Sequence, residues 1–97
     1  RKLAKEIIGH AVKTVSQMGW NRKENGELLA LAEKEFDVFV TVDRNLKFQQ
    51  HLASFQIAVL VLMSPSIRLA DMLPLVPKLL AAIPVAKRGQ AVSIGEE

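Results

Sequence analysis

Cysteine is absent from this sequence, which excludes disulfides and thiolate metal sites and fits a reducing compartment. The five glycines are scattered, so no glycine-rich loop cradles a phosphate, and P-loop and dinucleotide-binding readings fall away. The two histidines, His10 and His51, lack any metal-ligand spacing and read as ordinary polar residues. No nucleophile elbow and no Ser/His/Asp arrangement is present. The longest apolar run, Ile57 to Met63, has seven residues, far short of the roughly 20 that a membrane helix needs. No signal-peptide pattern opens these residues either. These absences predict a cytoplasmic protein that binds no membrane.

What is present is enough to fold. The chain has 97 residues, 49% hydrophobic and 24% charged, values that suit one globular domain and exclude intrinsic disorder. The net charge of +3 is unevenly spread. Residues 1–43 hold seven bases and seven acids, whereas residues 44–95 hold six bases against a single acid, Asp71. A basic half suits a polyanionic partner, although scattered solvated Lys and Arg account for it equally simply.

Hydrophobic spacing sets out the elements in order. Leu3, Ala4, Ile7 and Ile8 recur at helical spacing, and Gly9 is a natural stop. His10 to Val15 reads as a short strand. Ser16 to Glu24 is a polar loop that carries Met18-Gly19-Trp20, with Trp20 expected as a plug over the core. Asn25 is the predicted N-cap of a helix that runs to about Phe36, burying Leu28, Leu29, Leu31 and Ala32. Val38 to Val42 is a strong strand, β-branched and almost continuously apolar, as a strand covered on both faces should be. Asn45 to Ala53 is a predicted short helix, and Ile57 to Met63 a second strong strand. Ser64-Pro65-Ser66 then opens a helical stretch to Ile83. Pro74 and Pro77 must break it, because an interior proline removes a backbone donor and crowds the preceding turn. Gln90 to Ile94 reads as a closing edge strand. Alternation of helix and strand predicts an α/β fold, a three-layer α/β/α sandwich with a mostly parallel sheet of about four strands.

In such sheets ligands gather beyond the carboxyl ends of the strands. Asp43 stands there, directly after Val38–Val42, with Thr41 two residues back on the same strand face and Asn45 two residues on. A carboxylate so placed suits a hard divalent cation. Its plainer role is to cap the helix that follows, worth about 1 kcal/mol. Glu27 lies in the first turn of the helix feeding that strand, so two carboxylates from separate elements could converge on one metal. Taken alone, Glu27 reads more simply as a first-turn acid favoured by the helix dipole, worth about 0.3–1 kcal/mol.

Two runs carry a family resemblance. Asn25-Gly26-Glu27-Leu28-Leu29-Ala30-Leu31-Ala32, followed by Asp37-Val38-Phe39-Val40-Thr41-Val42-Asp43-Arg44-Asn45-Leu46, resembles small PIN-like bacterial proteins, predicted toxin components of toxin–antitoxin systems related to the PIN ribonucleases. His10–Val15, Met18-Gly19-Trp20, Ile57–Leu62 and Arg68-Leu69-Ala70-Asp71 extend the similarity along one PIN-like domain over residues 1–97. The resemblance implies a Mg2+- or Mn2+-dependent endoribonuclease that hydrolyses RNA phosphodiesters and is neutralised by an antitoxin protein. It implies Asp43 and Glu27 as metal-binding and catalytic acids, with Thr41, Asn45 and Asn25 supporting them, and Arg44, Lys47 and Arg68 as contacts to RNA phosphate.

The departures from that pattern carry expectations of their own. Relatives open with a central strand ending in Asp-Glu-Asn, which is absent here, so the chain reads as N-terminally truncated. Asn25 and Asn45 stand where relatives often carry Asp, and two of the usual acids remain. An open slot in the sheet predicts a homodimer, strand-exchanged or with a rearranged sheet. The alternative to the nuclease is a non-catalytic PIN-like binding domain that pairs with a protein partner or with itself.

Overall fold

Val38-Phe39-Val40-Thr41 and Ala58-Val59-Leu60-Val61-Leu62 are the two most β-prone runs of the chain, and in the computed structural model they lie side by side. The structure describes residues 3–46 and 51–95. Strands β1 (Val38–Thr41), β2 (Ala58–Leu62) and β3 (Ala91–Ile94) form a parallel sheet in the order β1-β2-β3. Val38 is level with Ala58, Val59 with Ala91, and Leu62 with Ile94.

Alternation along the strands divides the core between the two faces of this sheet. On one face Val59 and Val61 pack with Leu29, Ala32, Leu46 and Ile57, and Trp20, Phe36 and Phe39 close over them. On the other, Leu60, Leu62 and Ile94 pack with Ile7 and Leu79, flanked by Val38, Val40 and Leu75. Every residue of β2 is buried, as a central parallel strand requires, whereas β1 is half-buried throughout because it forms one edge.

Three described segments are α-helical: α1 (Asn25–Ala32), α2 (Leu69–Met72) and α3 (Val76–Ala82). The proline-rich stretch breaks where the sequence predicts. A 3-10 turn at Leu73–Leu75 separates α2 from α3, and another at Ile83–Val85 follows α3. Pro74, Pro77 and Pro84 each occupy the second position of a helical segment, where the missing N–H has no intrahelical partner to lose.

Several expectations need correction. Among the described residues the sheet has three strands, not about four, because residues 10–15 join no strand ladder. Their hydrogen bonds are local instead: Met18 N–H donates to Thr14 C=O, and Trp20 N–H to Val15 C=O. A cavity of about 550 Å3 lies between them and β1, so the ladder partner a strand needs is not there. The first helix is only a 3-10 turn, Leu3–Glu6, and Gly9 at φ 86° reverses the chain after it. Helix α1 ends at Ala32 rather than near Phe36, and its N-cap is Glu24, one residue before the predicted Asn25. Part of the expected Asn45–Ala53 helix, residues 47–50, lies outside the described residues. Leu46 beside it is buried, and Leu52–Ser54 forms a 3-10 turn. Trp20 packs against the core, as expected of a plug.

Candidate active site at the carboxyl edge of the sheet

Strand β1 ends at Thr41, and the chain turns outward at Asp43. The turn is set by short polar side chains. Asp43 N–H donates to Thr41 Oγ1 at 3.1 Å, and Asp43 Oδ1 accepts from Asn45 N–H at 3.0 Å, the bond of an Asx turn. Its other oxygen, Oδ2, accepts from Asn25 Nδ2 at 3.0 Å across eighteen residues of chain. The carboxylate is therefore oriented by β1, by the turn after it, and by the first residue of α1. An ionised carboxylate offers about four acceptor positions, and these two bonds leave the remainder for a ligand.

Asp43, Thr41, Asn45 and Asn25 are thus joined by hydrogen bonds at one point. Asn25 was expected to cap its helix; instead its amide reaches Asp43 while Glu24 takes the cap. Glu27 is placed differently. It is exposed in the first turn of α1, and its Oε1 accepts from Glu24 N–H at 3.5 Å in a capping box. Two residues along a helix are about 200° apart, so the turn that brings Asn25 to Asp43 directs Glu27 elsewhere.

The adjoining end of β2 adds residues that sequence reasoning read only as the end of a strand and the start of a helical stretch. Arg44 Nη2 donates to Ser64 C=O at 3.2 Å, tying the ends of β1 and β2 together. Ser64 is buried, and its hydroxyl donates to Ser66 C=O at 2.6 Å. Ser66 Oγ donates to Asp71 Oδ2 at 2.5 Å and accepts from Arg68 N–H at 3.0 Å. Asp71 is accordingly folded back beside the same edge. Its signal was available: it is the one acid in a basic half, following a Ser-Pro-Ser break at a strand's carboxyl end.

The basic residues divide. Arg44 is exposed but spends one guanidinium N–H on Ser64, leaving its other donors for solvent or an anion. Arg68 is exposed at the start of α2. Lys47 lies outside the described residues.

The donor set bears on the implied cation. Among the described residues, no group of three or more His, Asp and Glu side chains is placed to hold a metal. Mg2+ and Mn2+ favour oxygen donors, and Mg2+ is commonly held by one or two carboxylates with waters and substrate phosphate completing the shell. Asp43 offers oxygen acceptors of that type, two of whose positions are taken by Asn25 and Asn45. Among the described residues no helix is long and apolar enough to cross a membrane. Comparison with protein-family models, curated proteins and solved structures finds no match to this chain.

Proposed function

We propose that this chain is a PIN-like domain of toxin–antitoxin type, a three-layer α/β/α protein whose chemistry is Mg2+- or Mn2+-dependent hydrolysis of RNA phosphodiester bonds in the cytoplasm. The observation that supports it is the Asp43 carboxylate, held at the carboxyl end of a parallel strand by Asn25 and Asn45 while acceptor positions stay free. In this reading Asp43 holds the cation together with RNA phosphate and water, and Glu27 supplies a further acid from the rim of α1. The cation would lower the pKa of a bound water and offset phosphate charge. Thr41, Asn45 and Asn25 fix the carboxylate, and Arg44, Lys47 and Arg68 steer and position the phosphates. The natural partner is an antitoxin protein that covers this edge.

The test is cleavage of a labelled mixed-sequence RNA in Mn2+, with Asp43→Asn in parallel. Metal-dependent cleavage that Asp43→Asn loses is the expected result. A folded wild-type chain that leaves RNA intact in Mn2+ would overturn the nuclease reading.

A second reading, a non-catalytic domain that pairs with a partner or with itself, is favoured by one observation. Among the described residues no strand pairs with the outer edge of β1, which opens onto the cavity. Protein association without metal-dependent cleavage is its expected signature.

A further inference from the structure

Gly26 is a glycine that no turn requires. The other four glycines have positive φ, between 76° and 94°, whereas Gly26 lies in the first turn of α1. Alanine is the more stable residue at such a position. What glycine does there is leave the peptide N–H after Asn25 uncrowded. That N–H also has no intrahelical acceptor, as is general in a first turn. Its neighbours are engaged: Glu27 N–H goes to the Glu24 side chain, and Leu28 N–H to Glu24 C=O at 2.9 Å. Asn25 and Gly26 are half-buried, so water reaches both. One bond holds the Asn25 side chain away from its own main chain, the 3.0 Å contact from Nδ2 to Asp43 Oδ2.

We propose that Asn25-Gly26 is a site of spontaneous deamidation, held in check by the bond from Asn25 to Asp43. The Gly26 nitrogen attacks Asn25 Cγ; the N–Cγ bond forms, the Cγ–Nδ2 bond breaks, and ammonia leaves with the Gly26 amide proton. Water then opens the resulting succinimide at either carbonyl, giving aspartate or isoaspartate at position 25. Ring closure turns the side chain back onto the main chain, so the contact with Asp43 must break first. Asn21 and Asn45 precede Arg22 and Leu46, whose side chains crowd the same attack. The product changes the edge of the sheet. Aspartate sets an acceptor where the amide donated, so the tie between α1 and Asp43 is lost and a negative charge is added beside it. Isoaspartate also inserts one carbon into the main chain of the first turn of α1. The proposal stands on this contact and does not rest on the nuclease reading.

The experiment incubates the full chain in warm, mildly alkaline buffer and follows conversion of each asparagine by peptide mapping with mass spectrometry. Gly26→Ala, Asp43→Ala and Leu79→Ala are carried in parallel, with the urea-unfolded chain as reference. Leu79 packs on the opposite face of the sheet from α1, so its truncation lowers stability without touching the contact. Expected in the folded chain is conversion at Asn25 ahead of Asn21 and Asn45, slower than in urea. Gly26→Ala should lose that conversion almost completely. Asp43→Ala should speed it roughly tenfold, as loss of one hydrogen bond to a charged group implies, and Leu79→Ala should leave it unchanged. A folded chain that keeps Asn25 intact while the unfolded chain converts overturns the proposal. Conversion that survives Gly26→Ala also overturns it, as does a rate in Asp43→Ala no higher than in Leu79→Ala.

Discussion

Asn25 begins a helix but gives its side chain to Asp43, and that choice separates what local sequence rules foresee from what the fold does. An asparagine before a helical run is a good cap by propensity, yet Glu24 and Glu27 cap α1 between them and leave the Asn25 amide for a contact across the molecule. Replacing Asn25 with Ala should cost about 1 kcal/mol, read as a lowered urea midpoint. Under the nuclease reading it should also weaken Mn2+-dependent cleavage without abolishing it. The position of Asp43 at a strand's end was legible in Val-Thr-Val-Asp, because burial and chain direction fix it. The orientation of Glu27 was not, because it depends on which side of α1 faces the sheet. Gly95 is a residue whose constraint only the folded chain reveals. Its φ is 94°, and a Cβ there would stand 2.5 Å from Leu75 Cδ2. Gly95→Ala should therefore destabilise by about 1–3 kcal/mol in chemical denaturation.

At the scale of elements, continuous apolar runs and prolines were the readable signals. Ile57–Met63 foretold a strand covered on both faces, and β2 is that strand. The prolines foretold the division into α2, a 3-10 turn and α3. His10–Val15 failed because a strand is a property of two segments. Its β-branched Val12, Thr14 and Val15 suit a strand, but among the described residues no neighbour pairs with it, a fact no local pattern encodes. Helix α3 buries Leu79 completely against the sheet and exposes Lys78. Leu79→Ala should cost about 2–5 kcal/mol of unfolding free energy and Lys78→Ala less than about 0.5 kcal/mol, both measured by denaturant titration.

For the whole molecule, the sheet gathers a hydrogen-bonded set of polar side chains at one end and a solvated ion pair at the other. Asp43, Arg44, Ser64 and Asp71 meet at the carboxyl edge. At the amino edge, Arg88 pairs with Asp37 at 3.1 Å, but side-chain exposures of 61% and 84% keep that bridge solvated. Arg88→Ala should shift stability by less than about 1 kcal/mol, and by less still in high salt. Such an arrangement follows from parallel strands alone, since every strand points the same way.

Strand order has one more effect, on time rather than on energy. Because β2 lies between β1 and β3, neither outer strand has a ladder until residues 58–62 are in place, and each pairing must close a long stretch of chain. Strand order therefore predicts that the side chains of β2 take part in the rate-limiting encounter of folding. Leu60→Ala is expected to slow refolding in stopped-flow measurements, whereas Val92→Ala, on the far edge, should chiefly hasten unfolding.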